Sequence, residues 1–432
     1  MDVDQSRPPI DRRLDEARRQ YVDANPGSGA WSDRARRVMP GGNTRSVLHV
    51  DPFPLRIEHA EASRLRDVDG HEYLDLLGNY TAGLLGHSPG PVLEAARSAL
   101  DHGWSYGSTH ENEVRLAELL VDRFPSIEQI RFTNSGTEAN LMALAVATHH
   151  TGRDEIVVFR SGYHGGVLTF GSDDNPVNVR HDWTLCDYND VDGVSRAFER
   201  SGEGIAAVLV EPMQGSGGCL PGDPEFLRAL RTLCDDAGAV LIFDEVMTSR
   251  FSIGGAQRLL DITPDMTTLG KYLAGGFTFG AFGGRADIMA HFDPRTGGAL
   301  GHAGTFNNNV TSMAAGVAAL EEVLTPEVLA ETHDRGDRLR TGLNEIFADA
   351  DVAMCATGVG SLMNVHATRG PVRSVADLAD ADERLRELFY FHCLEAGVFL
   401  ARRGFIALSI EITDGDVERF LAVARRFATS LT

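Results

Sequence analysis

Between residues 128 and 285, short apolar runs alternate with stretches in which apolar residues recur every three or four positions. The runs are 130–133 (IRFT), 156–159 (IVVF), 206–210 (AAVLV), 240–243 (VLIF), 266–269 (MTTL) and 280–284 (GAFGG). Runs this short and this apolar predict strands buried on both faces. Their alternation with helical periodicity predicts a mostly parallel sheet sandwiched by helices, an α/β fold. In such a sheet the chemistry gathers at the downstream ends of the strands.

One intervening helix is marked at both ends. Asp223 stands at its N-cap and Pro224 at its first position, Phe226, Leu227, Leu230, Leu233 and Cys234 share a face, and Gly238 stops it. Upstream, RLRDVDGHEYLDL reads as a hairpin turning at Asp69 and Gly70, and downstream long helices are expected from Pro326 and from Val375. The expected organisation is a large domain over residues 76–310 and a smaller α+β domain built from both termini, 1–75 and 311–432. A chain of 432 residues is long enough for two or three domains. Internal repeats and low-complexity tracts are absent from the sequence.

Composition narrows the function. With 43% hydrophobic and 24% charged residues the chain reads as soluble and globular. A formal charge of −22 and a pI near 5.0 argue against a nucleic-acid partner, which would need a basic stripe, and none stands out in the sequence. The opening MDVDQSRPPIDRRLDEARRQ lacks the apolar core of a signal peptide, and runs such as 205–210 are too short to span a bilayer, so no membrane partner and a cytoplasmic location are expected. Cysteines at 186, 219, 234, 355 and 393 form neither a CxxC pair nor a cluster with histidine, so neither a disulfide framework nor a metal site is indicated.

The sharpest signal is a count. Of the 40 lysine and arginine residues, all but Lys271 are arginine. A chain that meets its surface needs with arginine keeps its one lysine for something a guanidinium cannot do. An amine can lose its proton and attack an aldehyde to form a Schiff base, whereas a guanidinium stays protonated. Lys271 follows the run MTTLG, and the neighbouring run AVLIFDEV ends at Asp244 and Glu245. Adjacent strand ends then bring a carboxylate and an amine to opposite sides of one ring-sized ligand. Asp244 could instead be a helix cap or the metal-binding acid of an ATPase. That second alternative fails because Asp265 and Tyr272 stand where a phosphate loop requires glycine and a hydroxyl residue.

The segment RFTNSGTEAN carries a strand through Ser135, Gly136 and Thr137 into a helix. Backbone N–H groups and hydroxyls at such a helix start can cradle a phosphate, although the same residues also suit a simple N-cap.

Taken in order, SGTEA, YHG, EPM, DEVMT, LGK and AGT resemble the class III aminotransferases of pyridoxal 5'-phosphate fold type I, over nearly the whole chain from about Gly41. The resemblance implies pyridoxal phosphate as cofactor, joined to Lys271 as a Schiff base, with Asp244 at the pyridine nitrogen and Ser135, Gly136 and Thr137 at the phosphate. It also implies Tyr163 stacked on one ring face, Val246 packed on the other and Glu211 nearby. Thr305 would reach the phosphate from the neighbouring subunit of a homodimer with shared active sites.

Within that class the chain is similar to two branches, the β-amino acid (β-phenylalanine-type) aminotransferases and the glutamate-1-semialdehyde aminomutases. MPGGNTRSV, LARRGFIALS and the FNNN after Thr305 match the first, which carries over Arg45 and Arg403 as candidate clamps for a substrate carboxylate. Arg402 stands where that branch more often has proline. The expected activity is ping-pong transfer of an amino group from a β-amino acid to a keto acid such as 2-oxoglutarate or pyruvate. Lys271 serves as anchor and then as base. Intramolecular aminomutase chemistry is the alternative, and decarboxylation or epimerisation on the same fold also stays open. A regulatory or scaffold module on this fold would usually have lost the lysine or the aspartate, and both are present. The segments 165–182 and 104–110 are expected to line the entrance.

Overall fold

A seven-stranded sheet runs in the order Gln129–Thr133, Gly280–Gly284, Met266–Gly270, Val240–Asp244, Ile205–Val210, Glu155–Phe159 and Asp182–Cys186. The computed structural model describes residues 9–171 and 175–431. All pairings in this sheet are parallel except those of Gly280–Gly284, which is antiparallel to both neighbours. The expected strands are therefore present, each extended by at most one residue at either end. Asp182–Cys186, not expected as a strand, adds the far edge because Trp183, Thr184 and Leu185 pair with Ile156 to Val158.

The apolar runs show no polar alternation because both faces of the sheet are covered. Ile156, Val158, Leu209 and Ile242 pack with Ala139, Ala143 and Leu144 of the helix Gly136–Thr151. Their neighbours Val157, Phe159, Val208, Leu241 and Phe243 point the other way, onto Phe226, Leu227 and Leu230 of the helix Pro224–Ala237. Each such side chain contributes roughly 1.5–3 kcal/mol on leaving water.

The helix Pro224–Ala237 ends at Gly238 in the left-handed conformation, as expected, but the Asp223 side chain makes no capping bond. Pro326–Asp349 is a long helix capped by the Thr325 hydroxyl. The long helix expected from Val375 is corrected. A capping box of Ser374 and Asp377 closes a single turn, Val375–Leu378, and the helix proper is Glu383–Glu395, started by the Asp382 carboxylate.

The hairpin turns through Gly70, which adopts φ +89°, and pairs Arg64–Asp67 with Glu72–Asp75. The C-terminal strand Val398–Phe399 then pairs with Glu72–Asp75. One core joins Leu14, Tyr21, Phe53 and Leu74 to Leu343, Phe389, Phe420 and Phe427, so the two ends of the chain are buried against each other. A second antiparallel sheet, Cys355–Val359, Leu362–His366 and Phe405–Ala407, completes this part. All five cysteines are free and buried. Among the described residues no cluster suited to a metal is present, and no helix is long and apolar enough to cross a membrane.

Candidate active site

Two neighbouring strands end in the residues singled out from the sequence. Val240–Asp244 delivers Asp244, and Met266–Gly270 runs directly into Lys271, with Asp244 and Thr268 opposite each other in the parallel pairing. Lys271 adopts φ +59°, a left-handed backbone uncommon for a side chain of this size, and turns sharply off the strand end into the short turn Lys271–Ala274. Burial lowers its amine to about 8, against the attraction of Asp244 and Glu211 and with further help from the positive charge of Arg45.

Asp244 is almost wholly buried and fully engaged. Its Oδ2 accepts from Asn140 Nδ2 at 2.8 Å and lies 2.8 Å from His164 Nδ1, while Oδ1 accepts the Val246 N–H at 3.0 Å. Asn140 is fixed in turn by the Thr268 hydroxyl, which donates to its Oδ1 at 2.7 Å. A carboxylate only accepts, so His164 presents its protonated Nδ1 to it. Glu211 lies one strand away. Its two oxygens accept the N–H groups of Tyr163 at 2.9 Å and Gly215 at 3.0 Å, and burial raises its carboxyl to about 7. Glu245, the second acid of the pair, faces elsewhere. Its carboxylate accepts from Ala256 N, Gln257 N and the Thr248 hydroxyl, and so starts the helix Gly255–Leu260.

The start of Gly136–Thr151 lies against these strand ends. Ser135 is its N-cap, with the hydroxyl accepting from Glu138 N at 3.2 Å. The Thr137 hydroxyl accepts from Gly166 N at 3.3 Å. The N–H groups of Gly136 and Thr137 have no acceptor among the described residues, as at the first turn of any helix, and such groups can bind an anion. A side chain at Gly136 would run into Val246, its Cβ only 2.7 Å from Cγ2, so the helix start, Val246 and the strand before Lys271 close on one point. Tyr163 keeps 46% of its surface exposed although its backbone is tied to Glu211, leaving an aromatic face free. An anion cradle, an apolar wall, an aromatic face, a strand-end acid and one amine fit a flat phosphorylated aldehyde.

The arginines lie further out. Arg45 donates to Asn79 Oδ1 at 2.8 Å and stands 5.5 Å from the centre of the Tyr80 ring. Arg403 stands 5.4 Å from the same ring and 5.6 Å from that of Phe405, with one long bond of 3.4 Å to the Ser216 hydroxyl and its Nε buried without a partner. Neither is ion-paired among the described residues, so both guanidinium groups keep donors for a carboxylate. Arg402 is committed elsewhere, 3.0 Å from Glu387. The adjacent cavity, about 690 Å³, is lined by Tyr80, Arg402 and Arg403 but not by Lys271 or Asp244.

Thr305 is exposed in the loop before Val310–Ala318, and Asn307 of that loop accepts from Asn134 Nδ2 at 2.9 Å, just before the anion cradle. The segment 104–110 packs on this loop, with the Trp104 carbonyl accepting from Asn309 at 3.3 Å. The other expected entrance segment, 165–182, includes residues 172–174, which lie outside the described residues.

Sequence reasoning passed over His164 and Asn140. His164 stood inside the YHG motif, and Asn140 is a polar residue on the apolar face of a helix whose other buried residues are alanine, leucine and valine. That contrast is itself a signal for a buried hydrogen-bonding role.

Comparison with known proteins gives the family. The family model for class III aminotransferases matches residues 47–405. The beta-phenylalanine transaminase of Variovorax paradoxus is 52% identical, covering 97% of this chain and 96% of its own length. A solved beta-phenylalanine aminotransferase from Variovorax paradoxus superposes with a TM-score of 0.96 at 51% identity over 98% of both chains. The glutamate-1-semialdehyde 2,1-aminomutase of Sorangium cellulosum is 39% identical, covering 94% of this chain and 96% of its own.

Proposed function

We propose that this chain, which belongs to the class III aminotransferases, takes its amino group from a β-amino acid with a β-phenylalanine-like side chain and passes it to a keto acid such as 2-oxoglutarate or pyruvate, by a ping-pong route. It is a transaminase that depends on pyridoxal phosphate. When bound, that group supplies an electron sink for negative charge developing on the substrate carbon.

In this reading Gly136 and Thr137 hold the phosphate through their free N–H groups, with Ser135 holding the helix start in place. Asp244, oriented by His164 and Asn140, holds the pyridine nitrogen, and Tyr163 and Val246 close on the two faces. Glu211 lies beside the ring and positions Tyr163 through its backbone. Lys271, its amine lowered toward neutrality, anchors the cofactor and, once freed, carries a proton between two carbon atoms at its Nζ.

Arg45 and Arg403 grip the carboxylates of donor and acceptor in turn. The observation that carries this assignment is that two arginines without acid partners meet over one ring, Tyr80, while the charge of Arg45 is felt at Lys271. Thr305 completes the phosphate site of a second copy. Its exposure, and that of Trp104 and Phe306 on the packed segments beside it, supports a homodimer with shared sites. A cytoplasmic location fits five free, buried cysteines.

The second reading, an aminomutase, is favoured by the relative from Sorangium cellulosum. Visible absorption of the holoenzyme separates the two. Loss of the cofactor band with racemic β-phenylalanine and its return with 2-oxoglutarate or pyruvate is the expected result. A band indifferent to β-amino acids but responsive to glutamate-1-semialdehyde would replace the transaminase reading with the aminomutase one.

A further inference from the structure

Arg402 and Arg403 are the two central residues of a tight turn. The Gly404 N–H donates to the Ala401 carbonyl at 2.8 Å, and Ala401 N donates to Phe405 O at 3.2 Å. Gly404 adopts φ +86°, and a Cβ there would lie 2.1 Å from the Val365 carbonyl oxygen, so the backbone of this turn has no freedom to absorb a change. The two side chains leave it differently. Arg403 is held only softly, by the faces of Tyr80 and Phe405 and by a 3.4 Å bond to Ser216. Arg402 carries the firm anchor.

That anchor is a three-residue cluster centred on Glu387, which is 7% exposed. Arg402 Nη2 lies 3.0 Å from its Oε2. Arg18, in the helix Pro9–Ala24, grips both oxygens, with Nε to Oε1 at 3.1 Å and Nη2 at 2.8 and 2.9 Å to Oε1 and Oε2. Arg386, one residue before Glu387, pairs with Glu383 and adds positive charge beside Arg402 and Arg403. Glu387 is thus saturated by two guanidinium groups. With Arg402 gone, Oε2 keeps only Arg18, and because Arg386 is engaged by Glu383, Arg403 is the softly held cation of the turn able to take the open place and leave the substrate side.

We propose that Arg402 and Arg18 are positioning residues. By occupying Glu387 they keep Arg403 facing the substrate, so the first helix of the chain sets the affinity for acid substrates. The inference rests on the reading of Arg403 as a carboxylate clamp. It predicts a loss of binding common to ground and transition states, which raises KM and leaves kcat in place.

The test is steady-state kinetics of holoenzyme variants with β-phenylalanine as donor and 2-oxoglutarate as acceptor. Arg402→Ala and Arg18→Ala are each expected to raise KM for both substrates by about 5- to 10-fold, with kcat within about twofold and the visible cofactor band unchanged. Arg402→Lys should recover part of the loss. Combining Arg18→Ala with Arg403→Ala should add nothing to the KM of Arg403→Ala alone, because both act through one group. Unchanged KM in Arg402→Ala and Arg18→Ala beside a raised KM in Arg403→Ala overturns the positioning role, as do additive effects in the double variant. Unchanged KM in Arg403→Ala overturns the clamp reading beneath it. Should Arg18→Ala fail to fold, Arg402→Ala and its lysine counterpart decide the matter from a surface turn.

Discussion

His164 Nδ1 lies 2.8 Å from Asp244 Oδ2, and both side chains are shut away from water, at 2% and 4% exposure. A buried carboxylate bonded to an imidazole and an amide is held in one orientation, and the proposed role of Asp244 at the cofactor nitrogen depends on that orientation. Asp244→Asn is expected to lower kcat more than about 100-fold, and His164→Ala, which leaves the acid on Asn140 and the Val246 N–H but removes its third partner, about 10-fold. Stopped-flow traces of the half-reaction with donor alone check both. An unaffected half-reaction in Asp244→Asn would remove this residue from the chemistry.

Lys271→Ala should abolish the visible band on mixing with pyridoxal phosphate. In the parent protein, cofactor capture by the apoenzyme should accelerate as pH rises through about 8, since only the neutral amine attacks. The same depression has a sign in stability. Between about 8 and the ordinary lysine value of 10.5 the unfolded chain binds the proton that the folded chain has released, so apoprotein Tm gains from Lys271 as pH climbs through this window and loses that gain as pH falls through 8. Comparison of parent and Lys271→Met Tm profiles checks it, because the methionine variant lacks the slope.

Arg45→Ala and Arg403→Ala should each weaken acid substrates by about 100-fold in kcat/KM, the loss of a charge-assisted pair worth roughly 3 kcal/mol. An amine donor without a carboxylate should be affected far less. Equal losses for both kinds of donor would mean that the arginines serve the fold rather than the substrate.

Gly280 has no room for a side chain, since a Cβ would lie 2.1 Å from the Ser135 carbonyl oxygen. Gly280→Ala must push the strand away from the helix start and is expected to cost about 1–3 kcal/mol. The displaced N–H groups should also bind cofactor more weakly. Thermal unfolding with and without pyridoxal phosphate separates the two effects, and an unchanged cofactor-induced rise in Tm would dissociate Gly280 from the phosphate site.

The sheet was legible because each buried strand is a short apolar run, and strand ends are where a doubly wound sheet collects its ligands. Asp244 and Lys271 could therefore be paired from the sequence. Asp182–Cys186 escaped because an edge strand is partly solvated and carries Asp182 and Thr184 among its apolar residues. Val375 misled because a capping box looks the same whether it opens one turn or five. Asn140 and His164 meet Asp244 across 104 and 80 residues of chain respectively, and local pattern holds no record of such contacts. The partner of Arg402 was equally hidden, and only the folded chain shows that Glu387 claims it.

The solitary amine has a practical corollary. Apart from the chain terminus, acylating reagents, amine-reactive dyes and aldehyde supports find no side-chain foothold on the exterior, which is studded with guanidinium groups instead. Such reagents become a gauge of whether Lys271 is engaged, since it is the only lysine they could modify.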